Sequence, residues 1–157
     1  MRLGIAADHG GFNLKADLIA RFHARGYTVI DFGADDLDPA DDYPDFVIPL
    51  AEAVGTEWAD RGIVLCSSGA GASICANKIL GARAALISAR AAARQAVEDD
   101  HMNILCLDGS NTRLESAWDI IRAFLEAKPG QADCNLRRLG KVALLEGWHA
   151  ASQARSG

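Results

Sequence analysis

The sequence contains no apolar run near the roughly 20 residues that a membrane-crossing helix needs. It has no basic excess: 16 Lys and Arg stand against 21 Asp and Glu, a net charge of −5, which argues against a nucleic-acid surface. Met1 leads straight into the strand-like stretch RLGIAA without a secretory pattern. The four cysteines, Cys66, Cys75, Cys106 and Cys134, fall at irregular spacing. Reduced thiols in a cytoplasmic protein are therefore expected rather than a disulfide framework. CxxC and HExxH are both absent and the histidines are scattered, so neither a metal nor any other cofactor is expected. Without repeats or low-complexity linkers, the expectation is one domain over residues 1–150 and a polar, frayed tail over 151–157.

What is present is alternation. Short apolar runs at 2–7, 27–31, 62–66, 84–88 and 103–107 read as strands. Between and after them, helical spacing covers 12–25, 44–57, 72–79, 89–98 and 113–127. Pro44 suits a first helical turn, whereas Pro49 falls inside the same helix. Five β–α units predict an α/β fold: a Rossmann-like three-layer αβα sandwich with a five-stranded parallel sheet. A final helix over 135–149 carries an apolar stripe of Leu136, Leu139, Val142, Leu145 and Trp148, which a neighbouring subunit would bury.

Chemistry concentrates at the carboxyl ends of the strands, where parallel sheets bind ligands. Those ends lie near Asp8-His9, Asp31, Cys66, Ser88 and Asp108. Cys66 ends an apolar run and is followed by Ser67-Ser68-Gly69-Ala70-Gly71 and then a helix. Amides at such a helix start can hold an anion, stabilise an oxyanion or lower a thiol pKa. The bland alternatives are a buried structural cysteine and an Asp8 that only caps a helix. Gly69-Ala70-Gly71 lacks the third glycine of a dinucleotide fingerprint, so a nicotinamide site is the weaker reading. The acidic loop 35–42 reads as a solvated rim.

The chain resembles the ribose-5-phosphate isomerase type B and galactose-6-phosphate isomerase family over nearly its whole length. The resemblance rests on Asp8-His9-Gly10-Gly11-Phe12, Asp42-Tyr43-Pro44, and Cys66 with Ser68-Gly69-Ala70-Gly71 and Ser73. Ala76-Asn77-Lys78, Gly81–Ala85, Asn103-Ile104-Leu105 and Arg137–Lys141 also fit. It implies a homodimer or homotetramer with shared active sites and metal-free interconversion of aldose and ketose sugars or sugar phosphates through a cis-enediolate. Ribose 5-phosphate is the family default. It implies Cys66 as base, Ser68 assisting, the Ser67–Gly71 loop (Ser67, Gly69, Ala70, Gly71) holding the oxyanion, and Asp8 at sugar hydroxyls or helping to open the ring. His9 and Arg138 would lie near the phosphate and Tyr43 would line the pocket.

The chain departs from the family at several of these positions. Asp99 stands where the family's ring-opening histidine is expected, Asp100 beside it, and His101 two residues on. Ser110, Cys134 and Asn135 occupy positions where two arginines and a histidine are expected, although Arg113 and Arg137 lie nearby. These changes keep two alternatives open: a different sugar, unphosphorylated or carboxylated, and a partner-dependent subunit of a hetero-oligomeric isomerase.

Overall fold

The computed structural model describes residues 1–153, with side chains over 1–146. Its elements run β1 (Leu3–Ala7), α1 (Phe12–His23), β2 (Val29–Asp31), α2 (Pro44–Gly55), β3 (Arg61–Cys66) and α3 (Ala70–Ala76). They continue with β4 (Ala84–Leu86), α4 (Arg90–Asp100), β5 (Ile104–Asp108), α5 (Leu114–Glu126) and α6 (Asp133–Gln153). The five strands form one parallel sheet in the order β2-β1-β3-β5-β4. The expected three-layer sandwich is what the chain builds.

Period-two alternation divides the sheet between two cores. Leu3, Ile5, Ile63, Leu65, Leu105 and Leu107 face one side, against residues of α1, α4 and α5 such as Phe22, Val97 and Phe124. Ala6, Val64, Cys66, Ile104 and Cys106 face the other, against Val47, Leu50 and Val54 of α2 and Ala72 and Ala76 of α3. The chain leaves β1 for a helix on the first face and β2 for a helix on the second. A crevice therefore opens at the carboxyl ends of β1 and β3, the switch point where ligands bind in such sheets.

Several boundaries differ from the sequence reading. β2 starts at Val29 because the Tyr27 amide bonds the Phe22 carbonyl at 3.1 Å, closing α1 instead of joining the ladder. β4 stops at Leu86, with Ile87 donating one further bond to Cys106. α3 begins at Ala70, two residues early, because Gly69 takes a left-handed turn (φ 74°) that aims the chain into the helix. α4 runs on through Asp99 and Asp100 and is capped by a left-handed His101. Pro49 is accommodated within α2. α6 continues past His149 to Gln153, and residues 154–157 of the expected tail lie outside the described residues. Its stripe is mostly uncovered in the single chain: Leu136, Val142 and Leu145 are exposed, Leu139 is half-buried, and the Trp148 side chain lies outside the described residues. No helix among the described residues is long and apolar enough to cross a membrane.

Candidate active site

The parallel register sets Ala7 beside Leu65 and Cys66 beside Asp108. The ends of β1, β3 and β5 thus finish level, and Asp8-His9, Cys66-Ser67 and Asp108-Gly109 leave the sheet side by side. Loop amides lock this edge: Asp8 N–H donates to Leu65 O (3.3 Å) and Gly109 N–H to Cys66 O (2.8 Å).

Cys66 is buried, and its sulfur receives the amides of Ala72, Gly69 and Ser68. Burial is nevertheless the larger influence and, with Asp8 adding repulsion, pushes the thiol above its ordinary value. The depressed thiol expected from the loop does not occur in the unliganded chain, because a sulfur tucked under the α3 start loses water faster than three amides replace it. The same contacts change the role of the loop. The Ser68 and Gly69 amides are spent on sulfur and the Ala70 amide bonds Ser68 Oγ at 3.4 Å. The amides of Ser67 and Gly71 have no acceptor among the described residues. The Ser67 and Ser68 side chains are exposed at the rim.

Asp8 is 5 % exposed and accepts the Gly10 amide at 2.9 Å, a tight turn that aims its carboxyl at the crevice. Burial raises its pKa, opposed by the Gly10 amide and His9. Tyr43 packs the hydroxyl end of its ring against Gly71: a Cβ there would meet Tyr43 Cζ at 2.9 Å. Only glycine permits that approach, which places Tyr43 at the cysteine loop. His9 Nδ1 lies 2.5 Å from Asp41 Oδ1, and the His9 amide donates to the same oxygen at 3.1 Å. The acidic loop is thus not wholly a solvated rim, since it turns one carboxylate inward. Nothing in the sequence marks Asp41, one acid among several in a segment without periodicity.

The remaining candidates lie elsewhere. α4 starts at the carboxyl edge and ends at the amino edge, so Asp99, Asp100 and His101 are a sheet's length from Cys66 within one chain. There Asp99 Oδ1 accepts Asn135 Nδ2 at 2.9 Å, its Oδ2 accepts Gln95 at 3.2 Å, and Arg138 donates to Asn135 Oδ1 at 3.2 Å. Cys134 Sγ sits 3.4 Å from the same amide oxygen. Asp100 is exposed, and the His101 ring bonds Gly130 O at 2.8 Å, so it serves the α4 terminus. Ser110 and Arg113 are exposed at the carboxyl edge beside Asp108, whose carboxylate is held low by its bonds to Asn111. Asn77 bonds Ser73 O and both backbone groups of Ala84, a structural clamp between α3 and β4. No group of three His, Cys, Asp or Glu among the described residues could hold a metal ion.

A family model described as Ribose/Galactose Isomerase matches residues 3–142. The chain belongs to the ribose/galactose isomerase family. It is 35 % identical over 151 residues to ribose-5-phosphate isomerase B of Mycobacterium leprae, covering 96 % of this chain and 93 % of that one. It is similar in structure to the Clostridium thermocellum ribose-5-phosphate isomerase B (TM-score 0.89, 42 % identity, 95 % of this chain and 99 % of that one). The Mycoplasma genitalium enzyme with bound ribulose-5-phosphate is also similar (TM-score 0.88, 32 % identity, 93 % and 96 % covered).

Proposed function

We propose that this chain is an aldose–ketose isomerase interconverting ribose 5-phosphate and ribulose 5-phosphate, with Cys66 as the base. The observation that carries this reading is Cys66 itself, held under three amides beside Asp8 at the switch point of the sheet. The Cys66 thiolate removes the proton from carbon 2, leaving a cis-enediolate and a neutral thiol. The thiol returns that proton to carbon 1 while a proton passes from the carbon 2 oxygen to the carbon 1 oxygen, so the aldehyde becomes a hydroxyl, the carbon 2 hydroxyl becomes the ketone, and atoms and electrons balance. The free Ser67 and Gly71 amides and the Ser68 hydroxyl face the developing oxyanion. Asp8 holds sugar hydroxyls and Tyr43 walls the pocket.

The active unit is a homodimer, or a tetramer built from it. Two features support this: the uncovered stripe of α6, and the separation of Cys66 from the Asp99–Asn135–Arg138 cluster. A second copy supplies that cluster to the first copy's cysteine. The Asp99–Asn135 pair, an acid and an amide where the resemblance implies two histidines, favours a second reading in which the sugar differs.

The test is exchange of the carbon 2 proton in heavy water. Exchange with ribose 5-phosphate that is lost in Cys66→Ala supports the isomerase. Exchange with other sugars alone selects the second reading, and none with any sugar overturns both.

A further inference from the structure

We propose that Asp41 is the positioning residue of His9: it fixes the orientation of the ring and keeps the proton on Nδ1, so that the imidazolium turns its Nε2–H toward the substrate's anionic end. The proposal rests on the isomerase reading only for the identity of that anion.

One carboxylate oxygen of Asp41 takes both the His9 amide (3.1 Å) and the ring Nδ1 (2.5 Å). A single acceptor thereby fixes the backbone and the χ angles of the same residue. With a carboxylate as acceptor, Nδ1 carries a proton and Nε2 is the ring's open nitrogen. The Asp41 side chain is only 9 % exposed, against 36 % for His9. Its second oxygen is buried without a hydrogen-bond partner. A solvated rim residue does not give up water in this way. A carboxylate that has done so is stabilised by a cation held against it.

His9 opens on a cleft of about 510 Å³ between the start of α1 and the β5–α5 loop, lined also by Asn13, Ser110 and Thr112. No lysine or arginine lines it. Within the described residues, His9 is therefore the cleft's source of positive charge. Asp8 at the end of β1 and Asp38 and Asp41 from the β2–α2 loop act on the ring, and Asp17 lines the α1 wall of the cleft. Asp41, foremost through its hydrogen bond, with Asp8 and Asp38, holds His9 above its ordinary pKa. Ser110 lines this cleft where the resemblance implies an arginine, so an oriented imidazolium takes on more of the anion's charge.

The experiment is 15N NMR of the His9 ring in wild type and D41N, with kcat and KM for ribose 5-phosphate and a titration with inorganic phosphate. The wild type is expected to meet phosphate as the imidazolium, protonated at both nitrogens, and to keep the Nδ1 proton as its one tautomer when the ring is neutral. In D41N the ring's midpoint falls by about one pH unit, KM rises about tenfold and kcat changes less than about threefold. D41E, which keeps the charge, recovers part of the KM. An unchanged midpoint and tautomer in natively folded D41N overturns the proposal. If D41N does not fold, a wild-type midpoint at or below the ordinary value of about 6.5 overturns it instead. A wild type that ignores ribose 5-phosphate overturns the isomerase reading alone. The ring's tautomer and its response to phosphate then decide for or against Asp41.

Discussion

Lys15 Nζ lies 2.7 Å from Asp31 Oδ1 and 2.8 Å from Oδ2, and donates a third bond to the Ala34 carbonyl at 2.8 Å. The lysine is 3 % exposed and comes from α1, while Asp31 ends β2 and Ala34 lies in the segment that follows it. That segment continues the sheet: Ala7 N–H donates to Gly33 O (2.8 Å) and Ala34 N–H to Ala7 O (2.7 Å). The ammonium therefore braces the strand end that carries Asp8 and His9. Lys15→Met is expected to cost about 1–3 kcal/mol, because the half-exposed Asp31 rehydrates while Ala34 O does not. Denaturant melts measure the cost. Lower kcat/KM in the folded variant would show that the brace also serves the site.

Cys66→Ala tests the base in a variant that should still fold. Its sulfur is buried in the core and takes three amides, so the substitution should cost about 1–3 kcal/mol, read by denaturant melts. Loss of a general base should lower kcat by about 10²–10⁴-fold, read by carbon 2 exchange. A variant with wild-type exchange would remove Cys66 from the chemistry.

Gly71→Ala places a methyl group against the Tyr43 ring, 2.9 Å from Cζ and 3.1 Å from the hydroxyl oxygen. Overpacking of this kind costs about 1–3 kcal/mol, more than the helix propensity of alanine returns. Adding Tyr43→Ala should restore the thermal midpoint but leave KM raised. A thermal midpoint unchanged in the single variant would show that Tyr43 moves aside freely.

The pH profile follows from two shifts of the same sign. The active form carries a protonated His9, raised from 6.5, and an ionised Cys66, raised from 9.0. Below the His9 pKa, protonating His9 gains nothing and loss of thiolate lowers kcat/KM. Between the two values, the gain in thiolate cancels the loss of imidazolium. Above the Cys66 pKa, only the loss of imidazolium remains. A bell with a broad top is expected, its acid limb at His9 and its alkaline limb at Cys66. D41N should lower the top and move the acid limb to lower pH. An acid limb unmoved by D41N would assign it to another group, such as the raised Asp8.

The proposed sharing of sites between two subunits predicts complementation. Cys66→Ala and Arg138→Ala should each be nearly inactive alone. Unfolded together and refolded, they should recover about a quarter of wild-type activity, because half the dimers are mixed and each mixed dimer has one intact site. No recovery would place both residues in the same subunit's site.

The sequence by itself determined the layers and the chemistry-bearing edge. Short apolar runs such as Ile63–Cys66 and helical spacing such as Leu114–Leu125 are local properties, and five such alternations leave little choice but a parallel sheet, whose carboxyl ends are where ligands bind. Asp8, His9, Cys66 and its loop were legible for that reason. Tertiary structure alone decided the rest. Whether Cys66 is acidic depended on how much water the α3 start excludes, a sum over distant atoms. That Asp41 meets His9, 32 residues away, depended on a loop with no repeating pattern to read. And α4 runs from one edge of the sheet to the other, which carries Asp99 a strand's length from the cysteine. Spacing along a chain says where a residue lies in its own element; only the packing of elements says which residues meet.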